Sequence, residues 1–325
     1  MANHHKAYIR YITAFSVTTF IILAATIGTS IIMNKLNIVH DGYSVLYRYQ
    51  LDKIEHMKNP DVILIGDSSL GNSVNAATLS KLINKNVYSL ALTGTFGYAG
   101  SFNMLSRALK TGKPELVVLC QTLDMMTRAV GHGAYAMTME NPSFSELIRL
   151  RGIYMDIDIF KKLFDTLTDK DTRTTINPAR DYFPQSEPIR DELNHLNKID
   201  GLDAASIIEE KVYYLKKIIA LCKTNGIPFV YFHGPLYEPM LKKSTPYKNK
   251  VNEILEGSGT IVEKATPVPI PLNKVGDSVD HVAPEYKVEY TQKMADLIVK
   301  YIPSHHLTAN KQVKFHDDKA QPTVQ

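Results

Sequence analysis

Hydrophobic positions divide the chain into an apolar segment near the N-terminus and a longer region in which short apolar runs alternate with amphipathic stretches. No charged side chain occurs between Tyr11 and Met33. A helix over these residues is about 34 Å long, which is enough to cross a hydrocarbon core of about 30 Å. The run is longer than that of a signal peptide, and the small residues that could form a cleavage site lie inside it. We therefore predict an uncleaved transmembrane anchor over residues 11–33.

The basic residues around this segment predict its orientation. Lys6, Arg10 and the amino terminus precede it, whereas Lys35 is the nearest basic residue after it. By the positive-inside rule, residues 1–10 stay in the cytoplasm. We therefore predict a single-pass protein of the cell membrane, with a linker or helical lead-in over residues 34–60 and an extracytoplasmic main domain. The alternative, a buried helix of a globular protein, rarely runs so far without a charge.

From residue 61 to residue 303, apolar runs typical of strands alternate with stretches typical of helices. The run that ends at Ile65 is apolar without a break and is followed by Gly66, as expected for a strand covered on both faces of a parallel sheet. Further strands are predicted at 87–92, 116–120, 228–232 and 260–263, and helices at 75–84, up to 110, 207–224, 248–256 and 284–301. This alternation predicts a doubly wound, three-layer α/β/α sandwich whose functional site lies at the carboxyl ends of the strands.

Two parts of the chain break this alternation. A long insertion at about 122–206 contains Gly, Pro and Asp residues, with short helical patterns at 143–150 and 158–167. We expect it to form a cap or a partner surface over the carboxyl edge of the sheet rather than a separate domain. The tail at 304–325 has no apolar period, and we predict that it is disordered.

Charge and cysteine content exclude several functional classes. The 37 Lys and Arg residues against 33 Asp and Glu leave a formal net charge of +4, which is too small to indicate a nucleic-acid partner. The two cysteines, Cys120 and Cys222, form no CxxC pair, which excludes a disulfide scaffold and a zinc cluster. We expect both to be buried free thiols, and we expect neither a metal nor a cofactor.

Three stretches at predicted strand ends carry residues that could do chemistry. Ser68 comes directly after the strand that ends at Gly66, so its hydroxyl would project from the sheet edge, as a nucleophile or as a helix cap. His281, beside Asp280, comes just before the last helix, and an imidazole oriented by a carboxylate can remove the proton of a serine. Gly94 follows the second strand, where its amide could stabilise an oxyanion.

These three stretches together resemble the SGNH (GDSL-like) hydrolase family, in particular its membrane-anchored branch that acts with polysaccharide and teichoic-acid acylation systems. The blocks are GDSS at 66–69, VYSLALTG at 87–94 and DHVAPEY at 280–286. The resemblance covers roughly Asp61 to Tyr301 without most of the insertion, and it implies a flavodoxin-like parallel sheet. It also implies a polysaccharide or teichoic-acid acceptor and a polytopic membrane O-acyltransferase partner that brings the acyl group across the bilayer.

The resemblance assigns roles to individual residues and leaves three functions open. Ser68 would be the nucleophile, His281 the base, and the backbone amides of Ser68 and Gly94 the oxyanion donors. The favoured function is transfer of an O-acyl group, acetyl or D-alanyl, to a cell-envelope or extracellular polysaccharide. An esterase would use water as the acceptor, and only the exclusion of water separates the two. The third possibility is a non-catalytic, membrane-tethered assembly or binding subunit.

Two positions depart from the family pattern. The family's acid lies three residues before the histidine, where this chain has Ser278, so Asp277, Asp280 or another group must orient the imidazole. We favour Asp280, because Asp277 lies one residue too far back. The third block normally supplies an Asn side chain to the oxyanion, whereas this chain has Gln121 and Asp124 after the third strand. Asp124 would repel that charge, which leaves Gln121 as the candidate donor.

A reporter fused after Gln325 tests the predicted topology. Because residues 11–33 are expected to cross the membrane once with the N-terminus inside, an enzyme that is active only outside the cytoplasm should be active in this fusion. A reporter that is active only in the cytoplasm should be silent. The opposite pattern would contradict the orientation, and with it the expectation of an envelope polymer as the substrate.

Overall fold

The computed structural model describes residues 2–35, 42–128, 131, 134, 138–140, 175–195, 200–208 and 210–303. The helical patterns predicted at 143–150 and 158–167, and the tail at 304–325, lie outside the described residues.

Five parallel strands form the central sheet, in the spatial order β2-β1-β3-β4-β6. Their bounds are β1 Val62–Gly66, β2 Val87–Ala91, β3 Leu116–Gln121, β4 Phe229–His233 and β6 Ile261–Val262. Every residue of β1 and β3 is buried, as the continuous apolar runs predicted. The predicted α/β fold with a parallel sheet is therefore confirmed. The strand order reverses between β1 and β3, and a crevice forms at the carboxyl ends of strands at such a switch point.

The described helices are α1 Ala2–Lys35, α2 Gly42–His56, α3 Ser68–Ser73, α4 Ala76–Ile83, α5 Gly97–Ala108, α6 Arg190–His195, α7 Glu210–Thr224, α8 Glu238–Lys243, α9 Thr245–Gly257 and α10 Lys287–Ile298. In the layers that flank the sheet, α5 packs against α7 and α4 packs against α10. The predicted cap of α4 is confirmed, because the Asn75 side chain accepts a hydrogen bond from the Thr78 N–H at 2.9 Å. Helix α8 and a two-stranded sheet, β5 Leu236–Tyr237 with β7 Pro269–Ile270, were not predicted.

Between Lys6 and Ala25, the surface of α1 is largely apolar and is not buried against the described part of the chain. Large side chains such as Phe15 and Phe20 are 64% and 71% exposed. Among the described residues, one helix has a segment, Lys6–Ala25, that is long and apolar enough to cross a membrane. An apolar surface of this size needs a lipid or protein environment. Insertion of the predicted anchor in a bilayer would surround it with lipid.

Helix α2 covers the outer edge of the sheet. Strand β2 has a sheet partner, β1, on one side only. On its other side, Gln50 Nε2 of α2 donates to the Ala91 carbonyl at 2.8 Å and Lys53 Nζ donates to the Ser89 carbonyl at 2.7 Å. These contacts satisfy alternate carbonyls of an edge strand that would otherwise be open to another chain. Within the lead-in predicted at 34–60, residues 42–56 thus form a helix docked on the domain.

Gly66 gives a direct test of how closely β1 and β3 pack. A Cβ added at Gly66 would overlap the carbonyl oxygen of Cys120 on β3, whereas a Cβ at Gly257, the last residue of α9, would meet no atom within 4 Å. We expect Gly66→Ala to lower the free energy of unfolding by about 1–3 kcal/mol or more, because the backbone on both sides must move. Gly257→Ala, the matched control, should change it little. Thermal unfolding of the full chain in detergent measures both, and equal effects would contradict the packing.

Candidate active site

Asp67 fixes the turn that leads from β1 into α3. One oxygen of its carboxylate accepts hydrogen bonds from the N–H of Ser69 at 3.0 Å and from the Ser69 hydroxyl at 2.6 Å. The other oxygen accepts from the N–H of Thr122, directly after β3, at 2.9 Å. Asp67 is therefore an N-cap that also ties the ends of two central strands together. This tie sets the position of Ser68, the first residue of α3.

Ser68 and Ser69 have different surroundings, although both are serines of the same turn. Ser69 is fully buried, and a Cβ at Gly234 would run into its hydroxyl. Ser68 is half-buried, and no described residue forms a hydrogen bond with its Oγ. Its N–H lies in the first turn of α3 and has no acceptor within the helix. Of the two hydroxyls, that of Ser68 is the one without a partner among the described residues, and a backbone N–H that could stabilise an oxyanion lies on the same residue.

The structure pairs His281 with Asp277 rather than with Asp280. His281 Nδ1 lies 2.8 Å from Asp277 Oδ1, whereas His281 Nε2 lies 3.7 Å from Asp280 Oδ1. The loop closes on itself through a hydrogen bond from the His281 N–H to the Ser278 carbonyl at 3.1 Å. This turn brings a carboxylate four residues back into contact with the imidazole. The expected preference for Asp280 as the orienting acid does not match this geometry, because adjacency in sequence places Asp280 on the other side of the ring.

Asp280 has a separate set of partners. It is 2% exposed and accepts a short hydrogen bond from the Ser278 hydroxyl. Its other oxygen lies 3.5 Å from Nη2 of Arg128. Ser278, three residues before His281, therefore binds Asp280 and not the imidazole. Asp280 acts on His281 through its charge.

The charges in this cluster shift one another's pKa values. Burial lowers the pKa of His281, but the hydrogen bond to Asp277 and the charges of Asp280 and Asp67 outweigh it and raise the pKa above its usual range. Although burial opposes the change, His281 in turn lowers the pKa of Asp277 and of Asp280. Burial and the charge of Asp280 raise the pKa of Asp67 to about 6. The raised pKa means that the charged form of the imidazole persists to a higher pH than it does in a free histidine.

Arg128 is a site residue that the sequence analysis missed. Its Nε lies 2.8 Å from Asp124 Oδ1, and a Cβ added at Gly94 would meet its Nη1. The guanidinium therefore neutralises Asp124, the carboxylate that was expected to repel an oxyanion. The spacing of four residues between Asp124 and Arg128 was a signal for this pair. Its contacts with Gly94 and Asp280 could not be read from the sequence, because they join separate loops.

The two remaining oxyanion candidates differ in their surroundings. Gly94 begins a short 3₁₀ turn, Gly94–Phe96, after β2, and its N–H has no acceptor within that turn. Gln121 is fully buried, and its Nε2 donates to the Ser101 hydroxyl of α5 at 2.9 Å. Gly94 thus offers an amide at the sheet edge, while the Gln121 side chain belongs to the packing between β3 and α5.

A second histidine at the same edge is unsuited to act as a base. His233 ends β4, is 1% exposed, and its Nε2 lies 2.7 Å from Asn252 Oδ1. Burial lowers its pKa to about 4.

Among the described residues, no group of three or more His, Cys, Asp or Glu side chains is arranged to hold a metal ion. Cys120 and Cys222 are buried free thiols, as expected.

The structure thus brings His281, Asp277, Asp280, Asp67 and Arg128 together at the carboxyl edge of β1 and β3, the edge at which Ser68 begins α3. No hydrogen bond joins Ser68 Oγ to His281 within the described part of the chain. Catalytic hydrogen bonds are often formed only once the substrate is bound. The arrangement supplies a hydroxyl, an oriented imidazole and backbone donors, which are the parts needed for acyl transfer.

Comparisons with known proteins add the following findings. No family model matches the chain, and no curated protein matches it. Among solved structures, a crystal structure described as a "putative acylhydrolase" from Bacteroides fragilis is similar, with 15% sequence identity and a TM-score of 0.28. The match covers 78% of this chain and 94% of that one.

The two carboxylates beside His281 should affect turnover differently. Asp277→Asn should lower kcat for ester hydrolysis by up to about 10⁴-fold, because an amide cannot hold the imidazole in the required tautomer. Asp280→Asn should lower kcat much less. The base must be neutral to accept a proton, so activity should rise with pH through the raised pKa of His281. Loss of the Asp280 charge should move that midpoint to lower pH. Equal, small effects on kcat at both positions would show that neither carboxylate orients the ring.

Proposed function

We propose that this chain is a membrane-anchored, extracytoplasmic acyltransferase or esterase of the SGNH type, with Ser68 as its nucleophile. The observation that carries the proposal is the Asp277–His281 pair, at 2.8 Å, at the sheet edge where Ser68 begins α3. The carboxylate and the imidazole come from the loop before α10, and the hydroxyl of Ser68 lies at the start of α3, directly after β1. The sequence resemblance predicted the last two members, and the loop geometry supplies the first.

The proposed reaction begins when Ser68 Oγ attacks the carbonyl carbon of an ester. His281 Nε2 takes the hydroxyl proton, while the hydrogen bond from Nδ1 to Asp277 fixes the ring and stabilises its charged form. The N–H groups of Ser68 and Gly94 stabilise the tetrahedral oxyanion. The intermediate then collapses, the leaving alcohol takes the proton from His281, and the acyl group remains on Ser68.

The second half of the reaction frees the enzyme. A hydroxyl group of the acceptor, or water in an esterase, attacks the acyl carbon and gives its proton to His281. The intermediate then collapses, and His281 returns that proton to Ser68 Oγ. The proposed acyl group is acetyl or D-alanyl, and the proposed acceptor is a cell-envelope or extracellular polysaccharide or a teichoic acid. A polytopic membrane O-acyltransferase is the proposed partner, because a single span cannot carry an acyl group across the bilayer.

A non-catalytic assembly subunit is the competing proposal, and one observation favours it. His281 Nε2, the atom that must accept the serine proton, lies 3.7 Å from a carboxylate oxygen of Asp280. An imidazole held between two carboxylates keeps its proton more strongly than one that faces a hydroxyl. If this arrangement persisted with substrate bound, Ser68 would have no base.

Replacement of the two neighbouring serines separates these functions. Ser68→Ala should leave the free energy of unfolding nearly unchanged, because the hydroxyl is half-buried and has no described partner. It should abolish both acylation of the polymer in cells and labelling by a serine-reactive phosphonate. Ser69→Ala should keep most of both activities but lower stability by about 1–2 kcal/mol, because its buried hydroxyl donates to Asp67.

Labelling is measured on the membrane fraction and acylation on the polymer isolated from the same cells, with Ser69→Ala as the matched control. Full acylation by Ser68→Ala would reject the catalytic proposal in favour of the assembly subunit.

A further inference from the structure

The helix that follows the anchor contacts the loop that carries the Gly94 amide. The Tyr43 ring, in the first turn of α2, packs edge-on against the Phe96 ring, with a centroid distance of 5.9 Å. The Thr95 hydroxyl donates to the Tyr43 hydroxyl at 3.4 Å. Thr95 and Phe96 are the two residues after Gly94 in its 3₁₀ turn. The start of α2 therefore lies at the carboxyl edge of the sheet, beside the candidate site.

The direction of α2 is fixed by its other contacts. Along α2, Tyr43 meets the turn after β2, Gln50 meets Ala91 at the end of β2, and Lys53 meets Ser89 within the strand. The helix therefore runs antiparallel to β2, from the carboxyl edge of the sheet towards the amino edge. Because Gln50 is fully buried, α2 packs closely against the edge of the sheet.

The connection to the anchor is short. Helix α1 ends at Lys35 and α2 begins at Gly42. Even if fully extended, the residues between them span no more than about 25 Å. The carboxyl edge of the sheet, where α2 begins, is thus tied close to the end of the predicted membrane span. The amino edge lies a strand length further along the domain, about 17 Å.

We propose that the candidate site faces the bilayer and that the acyl ester it uses is anchored in the same bilayer. The inference rests on the proposed function, since it needs both the span and the serine chemistry. Helix α2 then has two roles, because it holds the domain with its catalytic edge towards the membrane and it supports the Gly94 loop. A substrate held in the membrane meets such a site at a high effective concentration, whereas a soluble ester does not.

The orientation can be measured on the full chain in lipid nanodiscs that contain rhodamine-labelled phosphatidylethanolamine. A donor dye is attached through Ser186→Cys at the carboxyl edge, or through Lys113→Cys at the turn before β3. Both residues are exposed, the native cysteines are buried, and only the backbone N–H of Ser186 contacts Asp277. We expect more efficient energy transfer from position 186 than from position 113. Equal transfer, or more transfer from position 113, would overturn the proposal.

The substrate class is tested with 1,2-dioleoyl-3-acetylglycerol as the probe in phosphatidylcholine vesicles. We expect acetate to be released about tenfold faster or more when protein and probe share a vesicle than when they are in separate vesicles. Hydrolysis of soluble p-nitrophenyl acetate should be the same in both mixtures. Equal release from shared and separate vesicles, or hydrolysis of the soluble ester alone, would overturn the inference that the substrate is anchored in the bilayer.

Phosphonate labelling of Ser68 separates failure of this inference from failure of the proposed function. If the wild-type chain is labelled and hydrolyses p-nitrophenyl acetate but shows the wrong orientation or no vesicle preference, only the inference fails. If neither labelling nor hydrolysis occurs, the proposed function fails and the inferred substrate with it. The energy-transfer measurement would then still report which edge faces the membrane.

Discussion

The buried carboxylate of Asp67 is the interaction on which the rest of the candidate site depends. It caps α3, binds the side chain of Ser69, and reaches across to the backbone of Thr122 after β3. A buried charge is costly, and it is tolerated only where its hydrogen bonds are nearly complete. Because the same carboxylate fixes the first residue of α3, the position of Ser68 follows from the requirement to satisfy Asp67.

Charge balance links the other members of the site to Asp67. Four carboxylates lie near Arg128 and His281. Arg128 contacts Asp124 and Asp280, and His281 contacts Asp277. Asp67 accepts from the N–H of Thr122 and acts on the others through its charge. Protonation of the imidazole therefore changes the environment of more than one acid at once. Such groups titrate as a set, and the pKa that a pH–rate profile reports belongs to the cluster rather than to the histidine alone.

Much of the fold could be predicted because buried parallel strands leave an uninterrupted apolar run. The strands that end at Gly66 and Gln121 are of this kind. The cap at Asn75 could be predicted because Asn is a preferred residue at the start of a helix. The two-residue strands β5 and β7 were missed because no period can be detected over so short a length. A strand is thus visible in the sequence when its apolar run is long enough, whereas contacts between residues from separate loops leave no such pattern.

The site was predicted less completely because its contacts depend on loop geometry. Spacing along the chain favoured Asp280, but the turn that begins at Ser278 places Asp277 in hydrogen-bond contact with the imidazole instead. Arg128 lies in a segment with no regular pattern, and its contact with Gly94 crosses between two strand ends. Ser68, His281 and Gly94 could be named as candidates because each lies directly next to a predictable strand or helix.

The two borders of the central sheet are closed to other chains in different ways. Strand β6 is only two residues long, so it offers a poor template, although Ile261 is 57% exposed. Strand β2 is longer, and its outward carbonyls are covered by Gln50 and Lys53 of α2, the helix that follows the predicted anchor in the sequence. A soluble form of the domain that begins after residue 56 would lose this cover and present a bare strand to its neighbours. A soluble form of the domain should therefore keep α2, although the sequence alone suggests that this helix is part of the linker after the predicted anchor.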